Sequence, residues 1–160
     1  MEIRTALSSD ADAIARIIMP VIREGATYAL DPAMSDAHGL AYWLGGDRET
    51  FVAEENGLLV GTYYLRANQS GGGSHVANCG YMTSANAQGR GVARAMCAHS
   101  LNYAKERGFL AMQFNFVVGT NDRAVRLWQS LGFAIVGRLP AAFQHPSLGF
   151  VDALVMHRAL

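Results

Sequence analysis

Between residues 75 and 118 the chain reads as a strand, a helix and a second strand, and neither strand carries an Asp, Glu, Lys or Arg. That run restricts the architecture. Helices fall between the strands of one mixed sheet, so the fold class is α/β (α+β). The other segments arrange themselves around it. Residues 2–6 form an opening strand. Ser8, Ser9 and Asp10 offer N-caps to a helix carrying Ile14, Ile17, Ile18, Val21 and Ile22 at helical spacing. Pro20 lies inside that helix and is expected to kink or end it. A second helix follows Ser35, carries Leu40, Trp43 and Leu44, and stops at Gly45-Gly46. Residues 50–54 and 58–65 are strands joined through Asn56-Gly57, a pair that supplies the positive φ angles of a tight turn. Residues 69–74, with three consecutive glycines, read as a loop. The central helix spans 91–107, and another runs from Asn121 to about Leu131-Gly132. Residues 133–139 and 150–158 close the sheet, joined by the proline-containing segment 140–146.

At 160 residues the chain is expected to form one domain, residues 1–160, since domains take roughly 100–200 residues. Thirteen basic residues balance thirteen acidic ones and no basic block rises above that background. Nucleic acid is therefore not an expected partner. No run of 18 apolar residues exists, so no membrane span is expected. Cys79 and Cys97 are the only cysteines, without C-x-x-C or metal-type spacing, and the five histidines show no zinc spacing. Neither a disulfide framework nor a metal site is expected. The start, Met1-Glu2-Ile3-Arg4, lacks a signal-peptide pattern, and a reduced, cytoplasmic protein is the expectation.

The stretch from Met82 to Ala93 joins a strand to a helix through a turn with two glycines. Glycine permits positive φ and leaves no side chain between backbone and ligand. The first N–H groups of a helix are unpaired and carry the positive end of its dipole. Together they suit a phosphate or pyrophosphate, although a loop used only for turning has the same spacing. Several phosphate ligands drop out. A P-loop needs Lys then Ser or Thr after its last glycine, and none follows Gly91. A dinucleotide turn needs a third glycine where Arg94 stands, and an acidic residue near position 111, which is Ala111. A G-x-S-x-G nucleophile elbow is absent.

Gln88-Gly89-Arg90-Gly91-Val92-Ala93 is similar to Q/R-x-x-G-x-G/A, the acetyl-CoA pyrophosphate signature of the GNAT acetyltransferase superfamily. The block from Asn121 to Phe133 resembles a second signature of that superfamily, N-x-x-A-x-x-L-Y-x-x-x-G-F. A helix and a strand separate the two blocks, as in the superfamily. The order of strands and helices over the whole chain resembles it too. The resemblance implies that the strands 75–83 and 109–118 splay apart to admit the pantetheine arm of acetyl-CoA. It implies that backbone N–H groups of Gln88, Gly89, Arg90, Gly91, Val92 and Ala93 hold the pyrophosphate. It further implies that the backbone of Met82 and Thr83 pairs with pantetheine, that a Met82 amide polarises the thioester carbonyl, and that Asn121 bonds pantetheine or holds the strand exit. Where the superfamily has a tyrosine able to protonate the departing thiolate, this chain has Trp128, a donor but not a usable acid. Trp128 is expected to pack.

Asn78 and Asn115 are amides in otherwise apolar strands, and a buried amide left unsatisfied costs about 1–3 kcal/mol. They either bridge the gap between splayed strands or contact the amine or carboxylate of a substrate. The text around them resembles one GNAT branch that includes acetyltransferases of proline analogues such as azetidine-2-carboxylate. In that branch asparagines on these strands belong to the reaction centre. His75 and His145 stand where either could approach a site, but ordinary surface roles suit them. The resulting expectation is an acetyl-CoA-dependent N-acetyltransferase of a small-molecule amine, acting by direct attack in a ternary complex. Transfer to a protein N-terminus or lysine, and a non-catalytic CoA sensor, are the alternatives. Family habit favours a homodimer.

Overall fold

The computed structural model describes residues 1–160. Its strands are β1 (Glu2–Thr5), β2 (Glu49–Glu55), β3 (Leu58–Ala67), β4 (Val76–Thr83), β5 (Ala111–Val118), β6 (Ala134–His145) and β7 (Gly149–Ala159). They form one seven-stranded sheet in the order β1-β2-β3-β4-β5-β7-β6. Only β4 and β5 run parallel; the other neighbours are antiparallel. The helices are α1 (Ala11–Glu24), α2 (Asp36–Trp43), α3 (Val92–Glu106) and α4 (Asp122–Ser130). No helix is long and apolar enough to cross a membrane.

Period-2 alternation divides the sheet's side chains between two cores. Val52, Tyr64 and Met82 point to one face, where Ile14, Ile17, Ile18 and Ile22 of α1 and Trp43 of α2 cover them. Phe51, Ala53, Tyr63, Leu65, Ala77 and Cys79 point to the other, against Val92, Met96, Leu101 and Ala104 of α3 and Trp128 of α4. The α2 side is tied down by buried polar contacts. Trp43 Nε1 donates to Thr62 Oγ1 (3.0 Å), which donates to the Phe51 carbonyl (2.8 Å), while Thr50 Oγ1 donates to the Trp43 carbonyl (3.1 Å).

Two expectations change. Pro20 does not end α1, which continues to Glu24 and closes at Gly25 with φ 65°. Proline removes the bond to the carbonyl four residues back, that of Arg16. Both residues are exposed, so water can satisfy the freed carbonyl. The segment 140–146 is not a separate joint, because β6 continues to His145 through a register shift between Leu139 and Phe143. Ala141 there has φ 48°, and its N–H donates to Asp152 Oδ1 (2.9 Å). The extra residues are absorbed as a bulge.

Parallel pairing of β4 with β5 covers only Val76–Ala111 and Ala77–Met112. Beyond Ala77 the strands part. This splay positions everything described next.

The front edge of the sheet is fixed by one cluster. Arg4 on β1 donates to Asp10 Oδ2 (2.7 Å) and to Glu54 Oε2 on β2 (2.9 Å), and Asp10 also accepts the Leu7 N–H (2.7 Å). Asp10 is only 8% exposed, and the Arg4 guanidinium holds its carboxyl below the ordinary 3.8. A depressed carboxyl stabilises the fold above its unfolded value and loses that contribution as pH falls through the folded one. Asp10→Asn should therefore cost about 1–3 kcal/mol at pH 7. In urea unfolding, the gap between mutant and parent should shrink below about pH 4.

Candidate active site

The splay opens a cavity of about 680 Å³ that runs between β4 and β5. Its lining includes Gln88, Gly89, Gly91, Val92, Ala93, Arg94, Asn121, Arg123 and Trp128 at one end. Tyr81, Met82, Thr83, Phe114 and Val117 line its middle, and Glu24, Tyr28, Tyr42, Tyr64, Arg66, Asn78 and Asn115 belong to the other end. Arg90 does not line it; its guanidinium pairs with Glu55 at the exposed β2–β3 turn.

At the first end the chain turns through Gly89 (φ 80°) and Gly91 (φ 82°) into α3. Residues other than glycine rarely take such angles. The first backbone bond of the helix is Ala95 N–H to Gly91 C=O (3.0 Å), which leaves the N–H groups of Gly89, Gly91, Val92, Ala93 and Arg94 without a backbone acceptor. Those of Gln88 and Arg90 make long turn bonds of 3.4 Å to Ala85 and Ala87. The free donors lie at the positive end of α3. Arg94 and Arg123 add two cations; Arg94 Nη2 donates to Ser130 Oγ (2.8 Å), and Arg123 reaches over Gly89. This donor set fits a pyrophosphate. Sequence reasoning gave neither arginine a role; Arg123 comes to the loop only because the fold brings α4 over it.

In the middle, the ladder between β3 and β4 decides which backbone groups are free. Ser84 N–H bonds Val60 C=O (3.0 Å) and Asn68 N–H bonds Val76 C=O (2.7 Å). The register between these ends is unbroken, so alternate residues form the hydrogen-bonded pairs and Met82 pairs with Thr62. Both backbone groups of Met82 therefore face β3. The groups facing the gap are those of Tyr81 and Thr83. This corrects the expectation of a Met82 amide as thioester donor: its N–H points the wrong way, and the gap-facing N–H groups are one residue to either side. The Met82 side chain is buried against α1 and α2. Tyr28, from the segment between α1 and α2, donates its hydroxyl to the Tyr81 carbonyl (2.9 Å). Burial pushes the Tyr28 phenol well above its usual range, so it stays a donor.

At the second end, Asn78 and Asn115 are both polar bridges. Asn78 Nδ2 donates to the Gln113 carbonyl of β5 (2.9 Å) across the gap. That bond fixes the amide so that Oδ1, which takes no hydrogen bond from the protein, is left as an acceptor. Asn115 lies in a bulge of β5, where the register with β7 shifts between Phe114 and Val117. Its Oδ1 accepts from Gln113 Nε2 (2.9 Å) and its Nδ2 donates to Asn68 Oδ1 (2.6 Å). Bulges commonly re-aim side chains beside active sites.

The remaining sequence candidates fall into place. Asn121 caps α4, its Oδ1 accepting the Ala124 N–H (3.2 Å), and it also lines the cavity. Trp128 packs on Tyr81 and Phe114, with ring centroids 5.2 and 5.1 Å away. Burial pushes the Cys79 thiol far above its usual range, so it is not a thiolate nucleophile. His75 and His145 do not line the cavity.

Residues 16–133 match the family described as the acetyltransferase (GNAT) family. A GCN5-related N-acetyltransferase from Kribbella flavida superposes with a TM-score of 0.94 at 42% identity, covering 99% of this chain and 97% of that one. The structure of yncA from Salmonella typhimurium, solved with its cofactor acetyl-CoA, superposes with a TM-score of 0.85 at 25% identity, covering 100% and 94%. N-acetyltransferase aca1 of Schizosaccharomyces pombe is 33% identical over 98 residues, which is 61% of this chain. The match spans about half of that relative, 47% of its length.

Tyr64 roofs β4 at the second end, with the hydroxyl end of its ring against Gly80. A Cβ on Gly80 would meet the Tyr64 ring at 2.7 Å. The ring cannot retreat, because Trp43 packs edge-on at 4.9 Å and the Arg48 guanidinium stacks on it at 4.5 Å. Gly80→Ala should cost about 1–3 kcal/mol by overpacking. It should also weaken binding of whatever occupies this end more than binding at the glycine loop; thermal melting and separate ligand titrations would show both.

Proposed function

The chain belongs to the acetyltransferase (GNAT) family, and on that premise we propose that it transfers the acetyl group of acetyl-CoA to a small-molecule amine by direct attack in a ternary complex. The observation that carries this reading is one continuous cavity. It links the free N–H groups of the glycine loop, the unpaired edge of β4 and the amides of Asn78 and Asn115. The covering of the far end favours a small amine over a peptide. Thr27, Tyr28, Ala29 and Leu30 line it from the segment between α1 and α2, and Tyr28 ties that segment to β4.

The donor supplies an acetyl group already activated as a thioester. In this reading Gly89, Gly91, Val92 and Ala93 hold its pyrophosphate through their N–H groups, with Gln88 and Arg90 shaping the turn. Arg94 and Arg123 add charge. The gap-facing backbone of Tyr81 and Thr83 pairs with the pantetheine arm, and one of their N–H groups takes up negative charge developing on the thioester oxygen. A single such donor is typically worth about 2.7–4 kcal/mol of barrier. Asn78 Oδ1 and Asn115 orient the amine. Holding amine and thioester together turns a bimolecular step into a unimolecular one. As the N–C bond forms and the C–S bond breaks, the amine's proton passes to water; neither β4 nor β5 carries a carboxylate, and Glu24, on α1, lines the wall without a recorded contact to either strand. Trp128 cannot serve as an acid, and a thiol of ordinary pKa, about 8.5, leaves without one. Cytoplasmic residence and a homodimer belong to the same proposal. Exposed Ile135, Val136, Leu139 and Phe150 on β6 and β7 support the dimer.

Two measurements test this reading. Gly91→Glu places bulk and negative charge at the proposed pyrophosphate site, and Gly91→Ala carries the same backbone strain without the charge. Calorimetry should find acetyl-CoA binding lost in the first and kept, somewhat weakened, in the second; equal affinity in a folded Gly91→Glu protein removes the pyrophosphate assignment.

Asn78→Ala and Asn115→Ala should lower kcat/KM for the amine by roughly 10- to 150-fold, the equivalent of about 1.5–3 kcal/mol. Affinity for acetyl-CoA should change little. Steady-state kinetics on variants whose melting temperature is retained would check this. Near-normal turnover in both would leave the amides as bridges of the sheet alone.

A further inference from the structure

We propose that Tyr28 is a catalytic residue of this reaction: its hydroxyl oxygen accepts a hydrogen bond from the attacking amine and steadies the positive charge that grows on nitrogen. The proposal rests on the reading of the cavity as an amine-acetylating site and supplies that site with an acceptor for the charge.

Tyr28 lies in the segment 25–35 between α1 and α2, which is folded on itself. Gly25 closes α1 with φ 65°, and a Cβ there would meet the Pro32 ring at 3.1 Å. Asp31 holds the turn that follows, its Oδ1 accepting the Ala33 N–H (2.9 Å) and its carbonyl the Met34 N–H (3.1 Å). The Tyr28 ring packs edge-on to the buried Trp43, with centroids 6.1 Å apart. Ring and hydroxyl are thus set before a substrate arrives, as an active-site group must be.

The hydroxyl reaches the gap at a defined place. It donates to the Tyr81 carbonyl (2.9 Å). Tyr81 stands opposite Tyr63 in the ladder, so both of its backbone groups turn away from β3. Along that edge the Tyr81 carbonyl falls between the N–H groups of Tyr81 and Thr83, which stand roughly 7 Å apart. These are the two candidates for holding the thioester oxygen, so with either one the phenol oxygen stands next to the place where the thioester lies. The carbonyl keeps a second lone pair for pantetheine. Asn78 shares this face of the sheet: with Gly80 and Met82 it alternates toward α1 and α2, the layer in which Tyr28 packs.

A phenol has one proton, and here it is committed to Tyr81. What the oxygen still offers is acceptor capacity alone, and no protein group donates to it. Donating to a carbonyl polarises a hydroxyl and makes its oxygen the stronger acceptor. Burial keeps the phenol neutral, well above its usual range, so it neither takes nor gives a proton in the step. The amine's lone pair attacks the thioester carbon, the N–C bond forms, and the carbonyl pair moves to oxygen. When that pair returns, the C–S bond breaks and sulfur leaves with its electrons. Nitrogen is positive in between. Tyr28 and Asn78 accept from its N–H groups until water removes one proton.

Tyr28→Phe removes the hydroxyl and keeps the ring. The probes are hydroxylamine, ethylamine and pyrrolidine, each with acetyl-CoA. On every amine that the parent uses, kcat should fall at least about tenfold, as for a lost hydrogen bond to a charged group. KM for the amine, calorimetric affinity for acetyl-CoA and melting temperature should change little. A kcat loss at constant KM marks an interaction made only in the transition state. A ring-fluorinated tyrosine in place of Tyr28 gives a second reading, which also serves should Tyr28→Phe not fold. Fluorine weakens the oxygen as an acceptor and strengthens the proton as a donor, so turnover should fall. Three results overturn the assignment while amine acetylation stands: unchanged kcat in Tyr28→Phe, a raised KM with kcat retained, or faster turnover with the fluorinated ring. The first two leave Tyr28 as a tie of its segment, and the third makes it a donor to the departing sulfur. A parent that binds acetyl-CoA but acetylates none of the probes, nor alanine or proline, overturns the acetylation reading and the role of Tyr28 with it.

Discussion

The parting of β4 from β5 after Ala77 and Met112 is the constraint on which the rest of this molecule depends. Backbone groups inside a sheet are normally paired, and each one left dry costs free energy comparable to a lost hydrogen bond. A cleft through the middle of a sheet is therefore an unfavourable feature that must be held open. Here side chains and a neighbouring segment supply the missing partners. Asn78 bonds the Gln113 carbonyl from the β4 side, and the Tyr28 hydroxyl bonds the Tyr81 carbonyl from above. The Gln113–Asn115–Asn68 chain stiffens β5 where it bulges. What stays unpaired, the gap-facing N–H groups of Tyr81 and Thr83, is the part a ligand could pair with as an added strand would.

Bridging and substrate contact are thus compatible roles for one asparagine. A primary amide has two donors and an acceptor with two lone pairs. Asn78 uses one donor to span the gap, and that same bond aims its oxygen away from β5. The bridge is what orients the acceptor group. Gly80 and Tyr64 make the neighbouring space possible, because only a residue without Cβ lets the tyrosine ring lie against β4. The reach of such a site is set by packing on the α1–α2 face, where Trp43, Tyr42 and Arg48 hold the ring in place.

Much of this is legible in the chain itself. Strand and helix order followed from periodicity, and the uncharged runs around Asn78 and Asn115 marked the centre of the sheet. The two glycines before α3 marked a turn with positive φ. Failures have local causes. Pro20 is tolerated because its lost bond falls on the solvent face, which a helical pattern alone does not reveal. Met82 was misassigned because alternation tells which face a side chain takes but not which edge its N–H takes; that needs the pairing register. Arg123 and Tyr28 were given no role because each lies far along the chain from the residue it meets. The tie between Tyr28 and Tyr81 spans 53 residues, and no local signal encodes it.

Charge placement completes the argument. The chain as a whole is neutral, with thirteen basic and thirteen acidic residues, so it carries no net charge to draw a partner from a distance. Yet the cavity wall carries three arginines against a single glutamate, and clefts with low-dielectric walls focus such an imbalance. Its two ends differ in charge. At the glycine loop the helix dipole and free N–H groups add to Arg94 and Arg123, which suits a doubly charged pyrophosphate. At the other end the lining carries one arginine, Arg66, and one carboxylate, Glu24, and Arg66 is itself paired with Asp47. The uncompensated positive charge of the wall is thus confined to the glycine-loop end, where an anionic donor would be received, and the charges at the far end, on β3 and α1, balance.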